Sequence, residues 1–219
     1  MTKTGEAARP QLDGSEESIM DWVRTHSRQV GVGAIVVAVA VAGTWLVSSS
    51  NAKKAVSAGR ALSEAQRSVA SGNLPLAAAD LSKLVQRYGS TSAGVQARLM
   101  LAQVYFQQGK VGDGLKLLDD AGSAGAQQSS LHGLRAGGLE QSGKPLEAAT
   151  EYLKAASSTV LPSEGESYRS DAARAYAAAG KKDEALKLWK AMSDDASSAL
   201  NSEAKLRVGE LSAVSATKK

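Results

Sequence analysis

Apolar positions follow two patterns along this chain. From Val30 to Val47 they are continuous: VGVGAIVVAVAVAGTWLV carries no charge, and Thr44 is its one hydroxyl. Beyond Ala55 they recur three or four residues apart among Ala, Leu, Lys, Glu and Gln, the spacing of amphipathic helices. As a helix the continuous run spans about 27 Å, close to the ~30 Å hydrocarbon core of a bilayer. Its valines are β-branched, but in a bilayer the backbone has no water to bond and helix is enforced. Nothing downstream is apolar enough to surround such a helix, so a transmembrane helix is expected over 30–48. Ser50-Asn51-Ala52 offers a small-x-small cleavage site. The run is longer than a signal peptide's apolar region, however, and a long acid-containing stretch precedes it, so an uncleaved anchor is expected.

The flanks add detail. Trp22 and Trp45 stand near opposite ends of the run, where interfacial anchors sit. Ala34, Ala38 and Ala42 form a small-residue stripe suited to close helix packing; the alternative is plain alanine abundance. Ile19, Trp22 and Val23 share one side of an amphipathic juxtamembrane segment over 15–29. Residues 1–14 have the composition of a disordered tail. Arg24 and Arg28 before the run nearly balance Lys53, Lys54 and Arg60 after it, so charge does not set the orientation.

After a linker over 49–54, one pattern repeats through 55–200. Gly72, Gly109, Gly143 and Gly180 recur at near-constant spacing, each followed by a polar residue. Seven positions before each stands Ala65, Ala102, Ala136 or Ala173. Four before are Ser68, Tyr105, Leu139 and Tyr176. Five after are Ala77, Gly114, Ala148 and Ala185, and four further on Leu81, Leu118, Tyr152 and Trp189. Small residues on both helices of a hairpin let them cross tightly, the large residue reaches the next hairpin, and the glycine ends the first helix. One such hairpin cannot bury its apolar face, so neighbours must stack. A capping helix is expected over 201–214, with Leu206 and Leu211 facing inward, then a tail over 215–219.

These offsets resemble the tetratricopeptide repeat (TPR). The second unit carries Ala102, Tyr105, Gly109, Gly114, Leu118 and Ala121; the third Ala136, Leu139, Gly143, Ala148, Tyr152 and Ala155; the fourth Ala173, Tyr176, Gly180, Ala185, Trp189 and Met192. The first unit departs most, with Ser68 at the aromatic position, and the consensus early Trp and terminal Pro are missing throughout. The expected fold is all-α: one transmembrane helix, then an α-solenoid of about four TPR-like hairpins and a closing helix. That order of parts also resembles the ancillary Sec translocon subunit family of bacteria. The resemblance implies a cytoplasmic N-terminus, a periplasmic repeat domain in the bacterial inner membrane, translocon association and chaperone-like contact with exported proteins.

Composition narrows the chemistry. With 26 basic and 22 acidic residues the net charge is +4, and no basic block tracks a phosphate backbone, which argues against nucleic acid. The absence of Cys removes disulfides and thiolate chemistry. His26 and His132 have no second His or carboxylate at metal-ligand spacing, and no nucleophile elbow or phosphate loop is present. Gly109, Gly112 and Gly114 follow no strand. Asp119-Asp120 and Asp194-Asp195 are expected at polar turns between units, and Asp183 and Glu184 at a helix start. No cofactor or metal is expected. Stacked hairpins leave a face lined by their first helices, with Gln66, Arg98, Gln103, Gln107, Arg135 and Arg174 as candidate groove residues for a peptide.

The expected role is a non-enzymatic, membrane-anchored interaction scaffold, an accessory subunit of a translocon-type, photosynthetic or respiratory complex. Its partners would be integral membrane subunits, exported proteins and the bilayer. A periplasmic holdase-type chaperone is the alternative.

Overall fold

The computed structural model describes residues 24–216, and every regular element among them is helical. Two compact units make up the chain, Met1–Lys53 and Lys54–Lys219. Helix α1 (Ser27–Ala70) contributes to both. There follow α2 (Leu74–Tyr88), α3 (Ser92–Gln107), α4 (Val111–Asp119), a 3-10 turn (Gly125–Gln127), α5 (Gln128–Gln141), α6 (Pro145–Ser158), α7 (Pro162–Ala178), α8 (Lys182–Asp194) and α9 (Asn201–Ala216). The expected tail over 1–14, the first part of the juxtamembrane segment with Trp22, and residues 217–219 lie outside the described residues.

In the first unit, α1 is apolar all round through Val36–Leu46. Val36, Val37, Val39, Val41, Trp45 and Leu46 are all exposed, as is Val32. Ala38 and Ala42 are exposed too. Thr44 Oγ1 donates to the Val41 carbonyl at 2.9 Å, so the single hydroxyl of the run is satisfied by its own helix. Among the described residues no helix is long and apolar enough to cross a membrane. The side chains of Val30, Gly31, Gly33, Ala34, Ile35 and Val47 lie outside that description, and Val36–Leu46 by itself, about 16 Å, falls short of a ~30 Å core.

The second unit breaks where glycine allows it. Gly72, Gly109, Gly143 and Gly180 all have φ between 71° and 75°. At three of them the chain closes in the same way: Lys110 N–H donates to the Tyr105 carbonyl, Lys144 to Leu139 and Lys181 to Tyr176, at 2.8–2.9 Å. The glycine N–H reaches three residues back. This is the Schellman arrangement, which satisfies carbonyls that a helix end leaves open. The first hairpin uses another device: Asn73 Oδ1 accepts from Leu76 N–H at 3.1 Å and caps α2. A Cβ at Gly109 meets nothing within 4 Å. Backbone strain alone therefore sets the loss expected for Gly109→Ala, about 1 kcal/mol. The midpoint of urea unfolding, followed by circular dichroism, measures it.

The core is shared between neighbouring hairpins, as stacking requires. Leu62 and Ala65 of α1 pack with Ala77, Leu81 and Leu84 of α2 and with Ala97, Leu101 and Val104 of α3. Ala136, Leu139, Ala148, Ala149 and Tyr152 pack with Ala172 and Ala175 of the fourth hairpin. Ala173, Ala185, Trp189 and Met192 close onto Ala204 of α9. Between hairpins two and three the bridge is Phe106, the single Phe of the chain. Its ring lies where a Cβ at Gly114 would come within 2.4 Å and one at Gly138 within 2.5 Å. Ser68, which stands where the other units carry larger side chains, donates instead to Asp80 Oδ2 on α2 at 2.8 Å.

One expectation is corrected. Leu206 does not face inward; it is 61% exposed. The inward row of α9 is Ala204, Val208 and Leu211, spaced four and three residues apart. Leu206 lies two residues from both Ala204 and Val208, which puts it on the opposite side of a helix.

Candidate functional site

Between α3 and α5 opens a cleft of about 460 Å3. It lies beside the shortest second helix of the repeats. Helix α4 has 9 residues against 13 to 15 in the other second helices. The connection after it turns through Gly122 and Gly125, both with positive φ, before α5 starts. Gln96 and Gln103 of α3, with Gln127 of the 3-10 turn and Ser130 of α5, supply the cleft's polar lining. Leu99, Met100 and Leu134 form an apolar floor, completed by the ring of Tyr168. Tyr168 reaches there from α7 across Gly133, where a Cβ would sit 2.6 Å from the ring. Its ring also stacks on Tyr152 with centroids 6.4 Å apart. Burial raises the Tyr168 hydroxyl pKa, and the Glu164 charge adds to this, so the group remains a neutral donor.

The candidate groove residues divide. Gln103 lines the cleft; Gln66 and Gln107 are exposed elsewhere. The arginines are engaged within the chain. Arg98 Nη1 donates to the Asp120 carbonyl at 3.4 Å, and Arg135 pairs with Asp119 at 2.8 Å across the seam between hairpins two and three. Arg174 donates to Ser170 Oγ at 3.1 Å and pairs with Asp171 on its own helix. Asp119 thus serves as an ion-pair partner and Asp120 as a backbone acceptor between the units. Asp195 likewise accepts from Ser197 N–H and Oγ–H, which holds its carboxyl below the usual value.

A polar network absent from the sequence reading joins α5 to α6. His132 Nδ1 stands 2.7 Å from Glu151 Oε2, and Lys154 Nζ 2.7 Å from Glu151 Oε1. Gln128 Oε1 accepts from Ala124 N–H, which turns its amide nitrogen toward His132 Nε2 at 2.9 Å. This sets Nε2 of His132 against the Gln128 amide nitrogen and Nδ1 against the Glu151 carboxylate. The available signal was Glu151 itself, a charge on the face of α6 that buries Ala148, Tyr152 and Ala155. Among the described residues no group of three or more His, Asp or Glu side chains is arranged to hold a metal ion.

Burial alone would raise the Glu151 pKa. Hydrogen bonds from Lys154 and His132 and the charges of Arg135 and Lys154 outweigh it, so the carboxyl lies below its usual 4.5. A carboxylate depressed in the fold adds stability that is present above the unfolded pKa and is lost as pH falls through the folded one. Glu151→Gln is expected to lose about 1.5–3 kcal/mol at neutral pH, the range for hydrogen bonds to a charged group. The gap to wild type closes below the ordinary glutamate range. Urea unfolding of both proteins across that range checks it; a gap independent of pH would remove the charge argument.

Stacked hairpins, an uncharged cleft, and ion pairs that tie helix to helix define a helical-repeat protein of the TPR class. The chain belongs to the tetratricopeptide repeat-like domain family, whose model matches residues 20–206. Its fold is similar to the crystal structure of the nearly identical TPR-like repeats of a Podosopora anserina kinesin light chain. That likeness has a TM-score of 0.56 at 17% identity, over 72% of this chain and 86% of that one. BtubC (BKLC) from P. vanneervenii is similar at TM-score 0.52 and 14% identity, over 73% of this chain and 82% of that one. At these identities the likeness concerns the fold. No curated protein matches the sequence.

Proposed function

We propose that this chain is a non-enzymatic, membrane-anchored scaffold: an accessory subunit of a large bacterial inner-membrane complex, with its N-terminus cytoplasmic and its repeat domain periplasmic. The observation that carries the anchor is α1, whose Val36–Leu46 stretch exposes large apolar side chains in every direction. In water that surface would be strongly unfavourable, at roughly 25 cal/mol per Å2; in a bilayer it is solvated. The family match begins at residue 20, ahead of the apolar run, so the run belongs to the matched pattern. The scaffold role follows from the repeat fold, whose stacked helices present extended surfaces to other proteins. The complex is a translocon by the resemblance of layout, or else a photosynthetic or respiratory assembly. Orientation follows the same resemblance.

Purification of the tagged full chain from native membranes in mild detergent, with mass spectrometry of what stays bound, tests the reading. A fixed set of membrane subunits at constant ratio supports it. A broad, substoichiometric set of exported proteins favours the holdase-type chaperone instead. One observation speaks for that second reading: Val160 and Leu161, large apolar residues on the α6–α7 connection, are 93% and 58% exposed. Release of the chain from membranes by alkaline carbonate would remove the anchor.

A further inference from the structure

We propose that copies of this chain associate head to tail, the outward face of α9 in one copy resting on the outward face of α1 in the next, so that the repeat stack continues from molecule to molecule. This goes beyond the scaffold reading above and uses its anchor only to concentrate the copies.

The outward row of α1 is basic. Arg60 lies two residues from both Ala58 and Leu62, and Arg67 two residues from both Ala65 and Val69, so both arginines leave from the side opposite the packed one. Seven positions separate them, two turns or about 10 Å of helix. Val56 and Ser63 accompany them and are exposed. The outward row of α9 is the counterpart. Glu203 and Glu210 are likewise seven positions apart, with the exposed Leu206 between them. Each glutamate holds Arg207 through one oxygen, Oε1 of Glu203 at 3.7 Å and Oε2 of Glu210 at 3.0 Å, and has its other oxygen left for a second cation. Lys205 leaves from the far side of the helix.

Three observations make a second copy the occupant. Arg98, Arg135, Arg174 and Arg207 all find an acceptor inside the chain. Arg60 and Arg67 find none among the described residues. Glu64, between them in sequence, turns instead to a recess with Asp80 and Lys83 of α2. Arginine is the cation best suited to ion pairs between proteins. Charge is also divided along the stack. Residues 54–110 carry seven basic and two acidic side chains, and residues 111–219 fourteen and fifteen. The beginning of one copy therefore attracts the end of another. Lastly, a solenoid stays soluble by itself when its end helices turn polar faces outward. Here each end helix exposes a large aliphatic side chain, Val56 on α1 and Leu206 on α9.

The same charges set the arrangement. Two α1 faces would oppose arginine to arginine, and two α9 faces glutamate to glutamate, so pairing of like faces is disfavoured. A contact between unlike faces does not close in a pair and gives rows. The contact is short, two turns of helix. Copies anchored in one membrane meet at a raised effective concentration, which offsets this.

The chain has no Cys, so introduced thiols are its sole reactive ones. One variant carries Ser63→Cys, and a second Gly209→Cys, where a Cβ meets nothing within 4 Å. The full chains are reconstituted in phosphatidylcholine liposomes, treated with a short bismaleimide and separated on a denaturing gel. The mixture is expected to give a dimer that neither variant gives by itself. The double variant, Ser63→Cys with Gly209→Cys, is expected to give a ladder of dimer, trimer and higher species. Arg60→Glu with Arg67→Glu on the first chain should lower the dimer yield about tenfold. Glu203→Arg with Glu210→Arg on the second chain should then restore it, which a misfolded first chain would not allow. Salt at about 1 M should lower the unreversed yield. No dimer in the mixture, a yield indifferent to charge reversal, or an equal dimer from Ser63→Cys alone overturns the proposal. If alkaline carbonate releases the chain from membranes yet the ladder forms in neutral solution, this inference stands and the anchor falls. A retained chain that gives no ladder does the reverse.

Discussion

Trp189→Ala is expected to unfold the fourth hairpin and α9 while the earlier hairpins stay helical. Trp189 is 1% exposed and heads the fully buried side chains by size. Around it pack Ala173 of α7, Ala185 and Met192 of α8 and Ala204 of α9, with Leu200, Val208 and Leu211 beside them. Three of these seven neighbours are alanine, which has no side-chain freedom with which to collapse into a void. The full loss for an aromatic-to-alanine change, about 3–5 kcal/mol, is therefore expected. The effect stays local because each repeat touches only its neighbours, so stability in a solenoid is a sum of unit and interface terms. Hydrogen exchange resolved by mass spectrometry checks both parts. Protection should fall in α7, α8 and α9 and persist in α2 and α3. A uniform fall along the chain would show instead that the solenoid opens as a single block.

The second large effect is expected at the corner between α2 and α3. Gly94 lies in the first turn of α3, where its N–H donates to Thr91 Oγ1 at 3.1 Å. The same hydroxyl donates to the Tyr88 carbonyl at 2.8 Å, which ties the end of α2 to the start of α3. A Cβ at position 94 would stand 1.9 Å from the Tyr88 carbonyl oxygen, 2.5 Å from its carbon and 2.8 Å from Gly89 Cα. All three atoms are backbone, so no rotamer change relieves the contact; the corner itself must open and give up the Thr91 cap. Gly94→Ala is expected to lose about 3 kcal/mol, the upper end for overpacking. Gly109→Ala, which meets strain and no clash, serves as the reference at about 1 kcal/mol. Urea midpoints for the two variants decide the order. A smaller loss at Gly94 than at Gly109 would mean that the corner relaxes without breaking its hydrogen bonds.

Those two sites differ in how visible they were beforehand. Trp189 is one of the large residues nine positions after a turn glycine, so its burial followed from the repeat. Gly94 lies outside the repeated offsets, and nothing near it in sequence announces that Tyr88 folds back over it. The cleft was harder still. Of its lining, Gln103 was marked as a surface position on a first helix. Gln127 belongs to an irregular connection, and Tyr168 comes from two helices further on. The marked arginines Arg98 and Arg135 turn to Asp120 and Asp119, because a long cation chooses the nearest acceptor in space and not its neighbours in sequence.

The amino-acid sequence by itself determined the helical class, the glycine breaks within the hairpins and the order in which they stack, but not the first helix, which runs unbroken through the linker expected over 49–54. Those properties are local: a left-handed residue ends a helix within one turn, and small and large side chains at fixed offsets set which faces meet. Only the tertiary structure decided which polar groups pair, where the stacking leaves a gap, and which side of α9 turns in. His132 and Glu151 are 19 positions apart and meet at 2.7 Å because α5 and α6 run against each other. Leu206 faces out because contact with Trp189 and Met192 favours Ala204, Val208 and Leu211. The cleft exists because a short α4 and two glycine turns follow one another at a single seam. Such features depend on the rotation and spacing of whole helices, to which every contact along their length contributes, and no short stretch of sequence carries that sum.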